Sequence, residues 1–214
     1  IIGSGPTGLS AALTAGRSGA RVLIIDSSNV LGGQLTWELD QIDDQPALGW
    51  IQVVQEELKA MKNVTIAQRT TAFGYYDSNV VNAIESVSDH LPTPGIYSVR
   101  QRLWQIRAKR VIIATGATER PLVFANNDRP GVMLASAARR YVNQFAVKPG
   151  HRAVIFANND DGYKTAVNLA EKGIDVRAVV DSRTQVNDFW KTKLEQIGVE
   201  LIQGSAVINT HGHF

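Results

Sequence analysis

The chain has 214 residues, of which 44% are hydrophobic and 20% are charged, and this balance excludes wholesale disorder. The absence of cysteine excludes disulfides, thiolate metal sites, iron–sulfur clusters and dithiol redox chemistry. The net charge is only +2, and no apolar run reaches about 18 residues, so we expect no nucleic-acid partner, no membrane span and a cytoplasmic location.

The first part of the chain predicts one βαβ unit. Ile1 and Ile2 are typical of the end of a buried strand, and Pro6–Arg17 favours a helix. The apolar run Arg21–Asp26 is typical of a parallel strand covered on both faces. Because the chain enters this unit at once, we expect it to be an internal piece whose first strand is cut short.

The middle of the chain predicts a helix followed by a β-rich insert. Apolar residues at helical spacing predict a helix over 51–62, and 63–67 favours a strand. Alternation and turn residues predict β structure over 70–107. The apolar run Arg110–Thr115 predicts a second buried strand, which ends at Gly116.

The βαβ pattern returns after a proline-containing connector over 121–149, which includes a helical stretch around 135–143. Strands are then predicted at 153–156, 176–181 and 199–203, with helices at 162–172 and 192–197. The predicted fold is therefore α/β, with two Rossmann-like modules of the FAD/NAD(P)-binding, glutathione-reductase-like type and a small β-rich insert. We expect the modules to span 1–120 and 150–214, and both to be truncated.

The segment GSGPTG, which opens the first helix, fits the glycine pattern of dinucleotide-binding turns. Gly3 permits the tight turn, Gly5 lets the backbone approach a diphosphate, and Gly8 lets the helix lie close to the strand. The helix N-terminus offers free N–H groups to the phosphates. Asp26 ends the next strand, where a carboxylate accepts hydrogen bonds from the adenosine ribose and disfavours NADP.

Further contacts to the same ligand are predicted from residues near these strand ends. Ser27 and Ser28 are expected to line the ribose, and Gly33 and Gln34 to continue along the phosphates. A flexible loop is the alternative for the second pair. Thr115 and Gly116 follow a strand at the edge of the sheet where ligands gather, although a simple strand exit explains them equally well.

The second turn has lost most of the glycine pattern. Alignment of its helix places Ala157 and Asn159 at the first two glycine positions, and only Gly162 is kept. The Asn159 side chain would occupy the space where a diphosphate meets the backbone. Asp160 and Asp161 would repel phosphate and satisfy the helix dipole themselves. We therefore expect this module to keep the shape without binding a nucleotide.

The remaining polar groups do not assemble into a reactive site. His211 and His213 lack acidic partners nearby, so no metal is expected. The acidic loop at Asp40, Asp43 and Asp44 is interpreted as a solvated turn. The sequence offers no catalytic residue.

Several longer stretches resemble the α subunit of heterotetrameric sarcosine oxidase. The most specific is NDRPGVMLA at 127–135, preceded by ATGATERP at 114–121. The similarity extends through 141–143, the altered turn at 158–160 and the segment 70–77, and so covers nearly the whole chain. Dye-linked proline dehydrogenases and opine dehydrogenase complexes share this type of subunit.

The resemblance implies a nucleotide-binding part of an oxidoreductase complex. In that family the first module holds non-catalytic NAD, while sarcosine is oxidatively demethylated on FAD in the β subunit and FMN lies at the α/β contact; γ and δ subunits complete the complex. Carried onto this chain, the implied NAD contacts are Thr7, Gly8, Asp26, Ser27, Ser28, Gln34 and, near the adenine, Ala72.

Other interpretations stay open at this point. A glycine turn with an acidic ribose contact serves NAD, FAD and ATP alike. The chain is thus compatible with a self-sufficient FAD enzyme that uses NAD(P)H. An isolated piece that binds nothing is also compatible.

Overall fold

A computed structural model describes residues 1–212 and divides the chain into two compact units, the first ending at Ala117 and the second beginning at Thr118. The elements of the first unit are α1 (Pro6–Arg17), β1 (Val22–Ile25), β2 (Gln41–Ile42), β3 (Gln45–Pro46), α2 (Ala47–Ala60), β4 (Val64–Ala67), β5 (Thr70–Tyr76), β6 (Val80–Ser86) and β7 (Gln101–Arg107). Those of the second are α3 (Ala135–Gln144), β8 (Arg152–Ala157), α4 (Asp161–Glu171), β9 (Asp175–Asp181), α5 (Asp188–Gln196) and β10 (Glu200–Gln203).

The first unit is built on the predicted βαβ unit. Helix α1 has the predicted bounds and buries Leu9, Ala12 and Leu13 in a core shared with β1 and α2. β1 and β4 pair in parallel, and β1 is covered on both faces because its side chains enter two different apolar clusters. Helix α2 begins at Ala47, four residues before the predicted start, and Pro46 directly precedes it, where the missing N–H of proline costs the helix no hydrogen bond.

The prediction of a buried strand over Arg110–Thr115 was wrong. Within the described residues this segment makes a single isolated bridge, between Ile113 and Ile2, and Ile2 in turn bridges Ile25. No described element covers the other side, so Ile112 and Ile113 are 40% and 60% exposed. An apolar run indicates that a segment can be buried, but burial also needs a neighbour on each side.

The predicted β-rich insert is an antiparallel sheet of order β5–β6–β7. Its tight turn at Asp77–Asn79 is a short 3₁₀ segment in which Ser78 and Asn79 adopt positive φ. One face buries Val81 and Ala83 in a cluster with Ile25. The insert therefore rests on the same unit that carries the glycine turn.

The second unit repeats the parallel architecture. Its sheet has the order β10–β9–β8, and α4 buries Tyr163, Ala166 and Leu169 in the unit's core. Helix α5 begins at Asp188, four residues earlier than predicted, because the Asn187 side chain caps it by accepting the Phe189 N–H.

Candidate functional site

Two glycines of the first turn are required by the backbone that surrounds them. A Cβ on Gly3, which has φ +100°, would lie 2.3 Å from the carbonyl oxygen of Ala114. A Cβ on Gly8 would lie 2.0 Å from the carbonyl oxygen of Gly3. No side chain fits at such distances, so the turn folds tightly against both α1 and the segment that leads to Thr115.

Gly5 differs, because a Cβ on it would meet no atom within 4 Å. It is the N-cap of α1, and no side chain caps this helix. The first N–H groups of a helix have no intrahelical partner, and among residues 1–212 no side chain caps those of α1. The arrangement suits an anion such as a diphosphate, which the helix dipole also favours.

The loop after β1 returns to this turn. Gly32 donates its N–H to the Ser4 carbonyl oxygen at 2.9 Å. A Cβ on Gly33, which has φ +55°, would lie 3.0 Å from the Gly5 Cα. The predicted loop over 32–35 is in part a 3₁₀ helix, Gly33–Thr36. The structure thus places Gly33 beside Gly5.

Asp26 lies next to the turn and is engaged by protein donors. Its Oδ2 accepts hydrogen bonds from the Ser4 N–H and the Ser4 hydroxyl, both at 2.6 Å. Its Oδ1 accepts the Ser28 N–H at 2.8 Å. A carboxylate has about four acceptor positions, so one remains on Oδ1, and a second would become available if the Ser4 hydroxyl rotated away.

Ser4 is a site residue that the sequence analysis did not identify. It is fully buried, and its hydroxyl fixes the orientation of the Asp26 carboxylate. The detectable signal was a hydroxyl residue between the first two glycines, in a motif where that position is unrestricted.

The other predicted residues lie in different settings. Thr7, Ser27, Gln34, Thr115 and Gly116 are exposed, and Gly116 has φ +74°. No side-chain hydrogen bond holds Gln34 among the described residues. Ala72 is half-buried on β5, where it packs against the cluster around Ile25. The structure therefore brings Gly3, Gly5, Gly8, Gly33, Asp26 and Ser28 together.

The second turn has the same close contact between helix and strand as the first, but different side chains lie at the helix start. A Cβ on Gly162 would lie 2.4 Å from the Ala157 Cβ, just as Gly8 packs against Gly3. The Asn159 Oδ1 accepts the Asp161 N–H at 3.0 Å, so the protein itself supplies an acceptor at this helix start. Asp160 is the N-cap of α4 and Asp161 lies in its first turn, where negative charge favours the helix dipole, and the two carboxylates also form ion pairs with arginines, at 2.8 and 2.9 Å.

An ionic network occupies the carboxyl edge of the second sheet. Asp181 ends β9, as Asp26 follows β1, and is fully buried. It accepts hydrogen bonds from the Tyr163 hydroxyl and, at 2.8 Å, from Arg183, which also pairs with Asp160. The guanidinium lies 5.7 Å from the Tyr163 ring centroid. Arg183 lies two positions after Asp181, as Ser28 lies two positions after Asp26, and the sequence analysis did not identify this arginine.

The network changes the ionisation of its members. Burial raises the pKa of Tyr163, and the bond to Asp181 raises it further. Burial alone would raise the pKa of Asp181, but hydrogen bonds from Arg183 and Tyr163 outweigh it and lower that pKa below its usual value. Asp181 thus remains a carboxylate whose charge is satisfied within the protein.

The part of the chain that the structure describes offers neither a metal site nor a helix that could span a membrane. Residues 1–212 contain no group of three or more His, Asp or Glu arranged to hold a metal ion, and His213 lies outside the described residues. None of the helices in that range combines the length and apolarity needed to cross a bilayer.

The fold and the glycine turn define a dinucleotide-binding module of the flavoprotein type. The family model described as FAD dependent oxidoreductase matches residues 1–119, and the chain belongs to that family. The predicted fold class is thereby confirmed.

Individual relatives agree with this assignment. The sarcosine oxidase subunit alpha of Rhizobium meliloti (strain 1021) is 45% identical over 212 residues, which cover 99% of this chain and 21% of that protein. The crystal structure of L-proline dehydrogenase from P. horikoshii has a TM-score of 0.65 and 28% identity over 87% of this chain and 36% of that one. Thioredoxin reductase from Lactococcus lactis has a TM-score of 0.70 and 18% identity over 100% of this chain and 66% of that one, and so supports the fold alone. The chain spans about a fifth of the length of the sarcosine oxidase subunit that it matches.

Proposed function

We propose that this chain is the nucleotide-binding part of an α subunit in a sarcosine oxidase-type amine oxidoreductase complex, and that it holds NAD in a non-catalytic role. The observation that carries the proposal is the contrast between the two turns. The start of α1 has no side-chain cap, whereas Asn159 supplies an acceptor at the start of α4. A phosphate acceptor is needed at the first helix and would compete with the protein at the second.

The first module supplies a suitable group for each part of the adenosine diphosphate moiety. Gly5 and the N–H groups of Thr7 and Gly8 would bind the diphosphate, and no atom lies within 4 Å of the position that a Cβ on Gly5 would take, so the backbone there can be approached closely. The remaining acceptor position on Asp26 would bind a ribose hydroxyl, with Ser27 and Ser28 beside it. A carboxylate here disfavours a 2′-phosphate, which supports NAD over NADP. Gly33 closes the loop against Gly5, and Gln34, Ala72, Thr115 and Gly116 would line the remainder.

In this proposal the substrate is oxidised elsewhere in the complex. Sarcosine would lose its methyl group on the FAD of a β subunit, FMN would lie at the contact of this subunit with β, and γ and δ subunits would complete the assembly. The 45% identity to a protein named as a subunit supports a complex. An α subunit of a proline or opine dehydrogenase complex is the nearest variant, supported by the L-proline dehydrogenase structure.

A self-sufficient FAD enzyme that oxidises NAD(P)H is the second candidate. It is supported by the family description and by the likeness to thioredoxin reductase. This candidate needs a second dinucleotide site for the nicotinamide cofactor. The bond between Asn159 and Asp161 and the ion pair between Arg183 and Asp160 oppose such a site, because both would have to break.

The proposal is tested by mass spectrometry of the nucleotide released when the natively purified full-length complex is denatured. We expect stoichiometric NAD in addition to the flavins of the complex, and reduced retention in Asp26→Ala. The matched control is Asp44→Ala, an exposed carboxylate in the turn between β2 and β3, which should retain NAD fully. FAD released from this subunit, together with NADH oxidation in the absence of partners, would establish the second candidate instead.

A further inference from the structure

Arg69 has a backbone conformation that its side chain does not favour. It lies in the two-residue link between β4 and β5 with φ +52°. Glycine adopts this left-handed region freely, whereas an L-residue with a Cβ is strained there. The fold alone therefore favours glycine at this position, and arginine is present there despite the strain.

Backbone hydrogen bonds join the link that contains Arg69 to the segment that follows β1. Its N–H donates to the Ser28 carbonyl oxygen at 2.9 Å, and its carbonyl oxygen accepts the Ser86 N–H at 2.9 Å. The next residue, Thr70, donates its N–H to the Asp26 carbonyl oxygen at 2.7 Å. The link is thus attached directly to the segment that begins at Asp26.

The side chain of Arg69 has no internal role among the described residues. It is half-buried, yet no hydrogen bond, ion pair or ring contact engages its guanidinium within residues 1–212. Three other arginines of the first unit form ion pairs, Arg17 with Glu57 at 2.6 Å, Arg100 with Asp89 at 2.8 Å and Arg102 with Glu85 at 2.8 Å. Within the described residues, Arg21 and Arg107 form none, but both are exposed, whereas Arg69 is half-buried. A strained, unpaired arginine at the carboxyl end of a parallel strand lies where ligands of such sheets bind.

The order of contacts on the protein indicates which part of the ligand Arg69 meets. Ser4 in the glycine turn binds Oδ2 of Asp26, Ser28 binds Oδ1, and Arg69 binds the carbonyl oxygen of Ser28. In the proposed binding mode, the glycine turn binds the diphosphate and Asp26 binds the ribose. The base follows the ribose in an adenine nucleotide, so it would lie on the side of Ser28 and Arg69.

We propose that Arg69 is the residue that holds the adenine base, with its planar guanidinium against the face of the ring. Arginine stacks its planar guanidinium on aromatic faces and also binds them by cation–π attraction. Lysine provides the cation–π attraction but has no planar group that could stack. The inference rests on the proposed binding of an adenine nucleotide to the first module. It applies equally to NAD, FAD and ATP, since the adenosine end is common to all three.

The test is calorimetric titration of the full-length protein, stripped of bound nucleotide, with AMP and with nicotinamide mononucleotide. Arg69→Gly should weaken AMP binding by about 5- to 30-fold, and Arg69→Lys should recover only part of that loss. Binding of nicotinamide mononucleotide should not change in either variant. Arg107→Ala, which removes an exposed arginine of β7, is the matched charge control and should bind AMP as the wild type does.

A stability readout separates the proposed role from a structural one. Because Arg69→Gly relieves the left-handed strain, hydrogen exchange of β4 and β5 should be as slow as in the wild type or slower. Ala146→Gly, at φ +54° in the second unit, is the strain control: it should slow local exchange in the same way and leave AMP affinity unchanged.

Three outcomes would overturn the inference. The first is unchanged AMP affinity in Arg69→Gly. The second is full recovery by lysine combined with a larger loss for 2′,5′-ADP than for AMP, which would assign the guanidinium to a phosphate. The third is a wild-type protein that binds neither AMP nor NAD, which would also remove the proposed function. The first two outcomes leave that function intact.

Discussion

Replacement of Gly5 by alanine separates the folding of the glycine turn from its proposed ligand binding. The new methyl group would meet no atom within 4 Å, and Gly5 has φ −65° and ψ −177°, which alanine adopts without strain. Since alanine restricts the unfolded chain more than glycine does, the substitution should stabilise the turn by about 0.4–1 kcal/mol.

The same methyl group would lie where we propose that a diphosphate approaches the backbone. It would lengthen or break hydrogen bonds from the α1 N-terminus to an anion. Bonds of this charged kind each contribute about 1.5–3 kcal/mol, so the loss of one would weaken NAD binding by about 10- to 150-fold. Gly5→Ala should therefore raise the stability of the turn and lower its affinity for NAD.

Hydrogen exchange of the α1 amides in the full-length protein measures the first effect, and retained NAD after native purification measures the second. Gly49→Ala is the matched control, because a Cβ there also meets no atom within 4 Å but lies within α2. It should slow exchange in α2 and leave NAD retention unchanged. Full NAD retention in Gly5→Ala would refute the assignment of the diphosphate to this turn, and faster exchange in α1 would refute the reasoning on the open space.

Two further substitutions test the backbone and the ionic network. Gly8→Ala would place a Cβ 2.0 Å from the Gly3 carbonyl oxygen, so α1 must shift; we expect a loss of about 1–3 kcal/mol, seen as faster hydrogen exchange in α1 and β1. Asp181→Asn would remove the negative charge to which Arg183 and Tyr163 donate their hydrogen bonds. It should destabilise the second sheet by about 3 kcal/mol, which is the lower end of the range for breaking a buried ion pair, because the Arg183 side chain is 35% exposed. The pKa of Asp181 is lowered in the folded state, so its stabilising effect is present above about pH 4 and is lost as the pH falls further. Acid unfolding of β8–β10, followed by hydrogen exchange, should therefore be steeper in the wild type than in Asp181→Asn, and equal slopes would contradict this role of Asp181.

The sequence predicted best where one local rule decides the structure. Helix α1 has the predicted bounds because Pro6 favours the first turn and Ser18 and Gly19 end the helix. Gly3 and Gly8 could be assigned because each permits a backbone contact that no side chain allows. Ile112 and Ile113 show the limit of this reasoning, since their burial depends on neighbours that an apolar pattern does not specify.

The candidate site was predicted less completely, because its chemistry depends on pairs of residues distant in sequence. Asp26 was identified from its place at a strand end, but Ser4 and Ser28 occupy three of its acceptor positions, and no local pattern indicates this. Arg69 could not be assigned to the site from the sequence, because it is placed there by backbone hydrogen bonds between the β4–β5 link and the segment after β1. Such contacts follow from the parallel pairing of β1 and β4 rather than from either segment alone.

The two turns have the same backbone arrangement but differ in the groups at the helix start. Gly8 against Gly3 and Gly162 against Ala157 preserve the same close approach of helix and strand, so the fold is retained in both units. What differs is the hydrogen-bond acceptor at the helix start. At α4 the acceptor is Asn159, and Arg183 neutralises the nearby carboxylates. At α1 no side chain takes that place, so an anion from outside the chain is the group that would complete the electrostatics of the helix start.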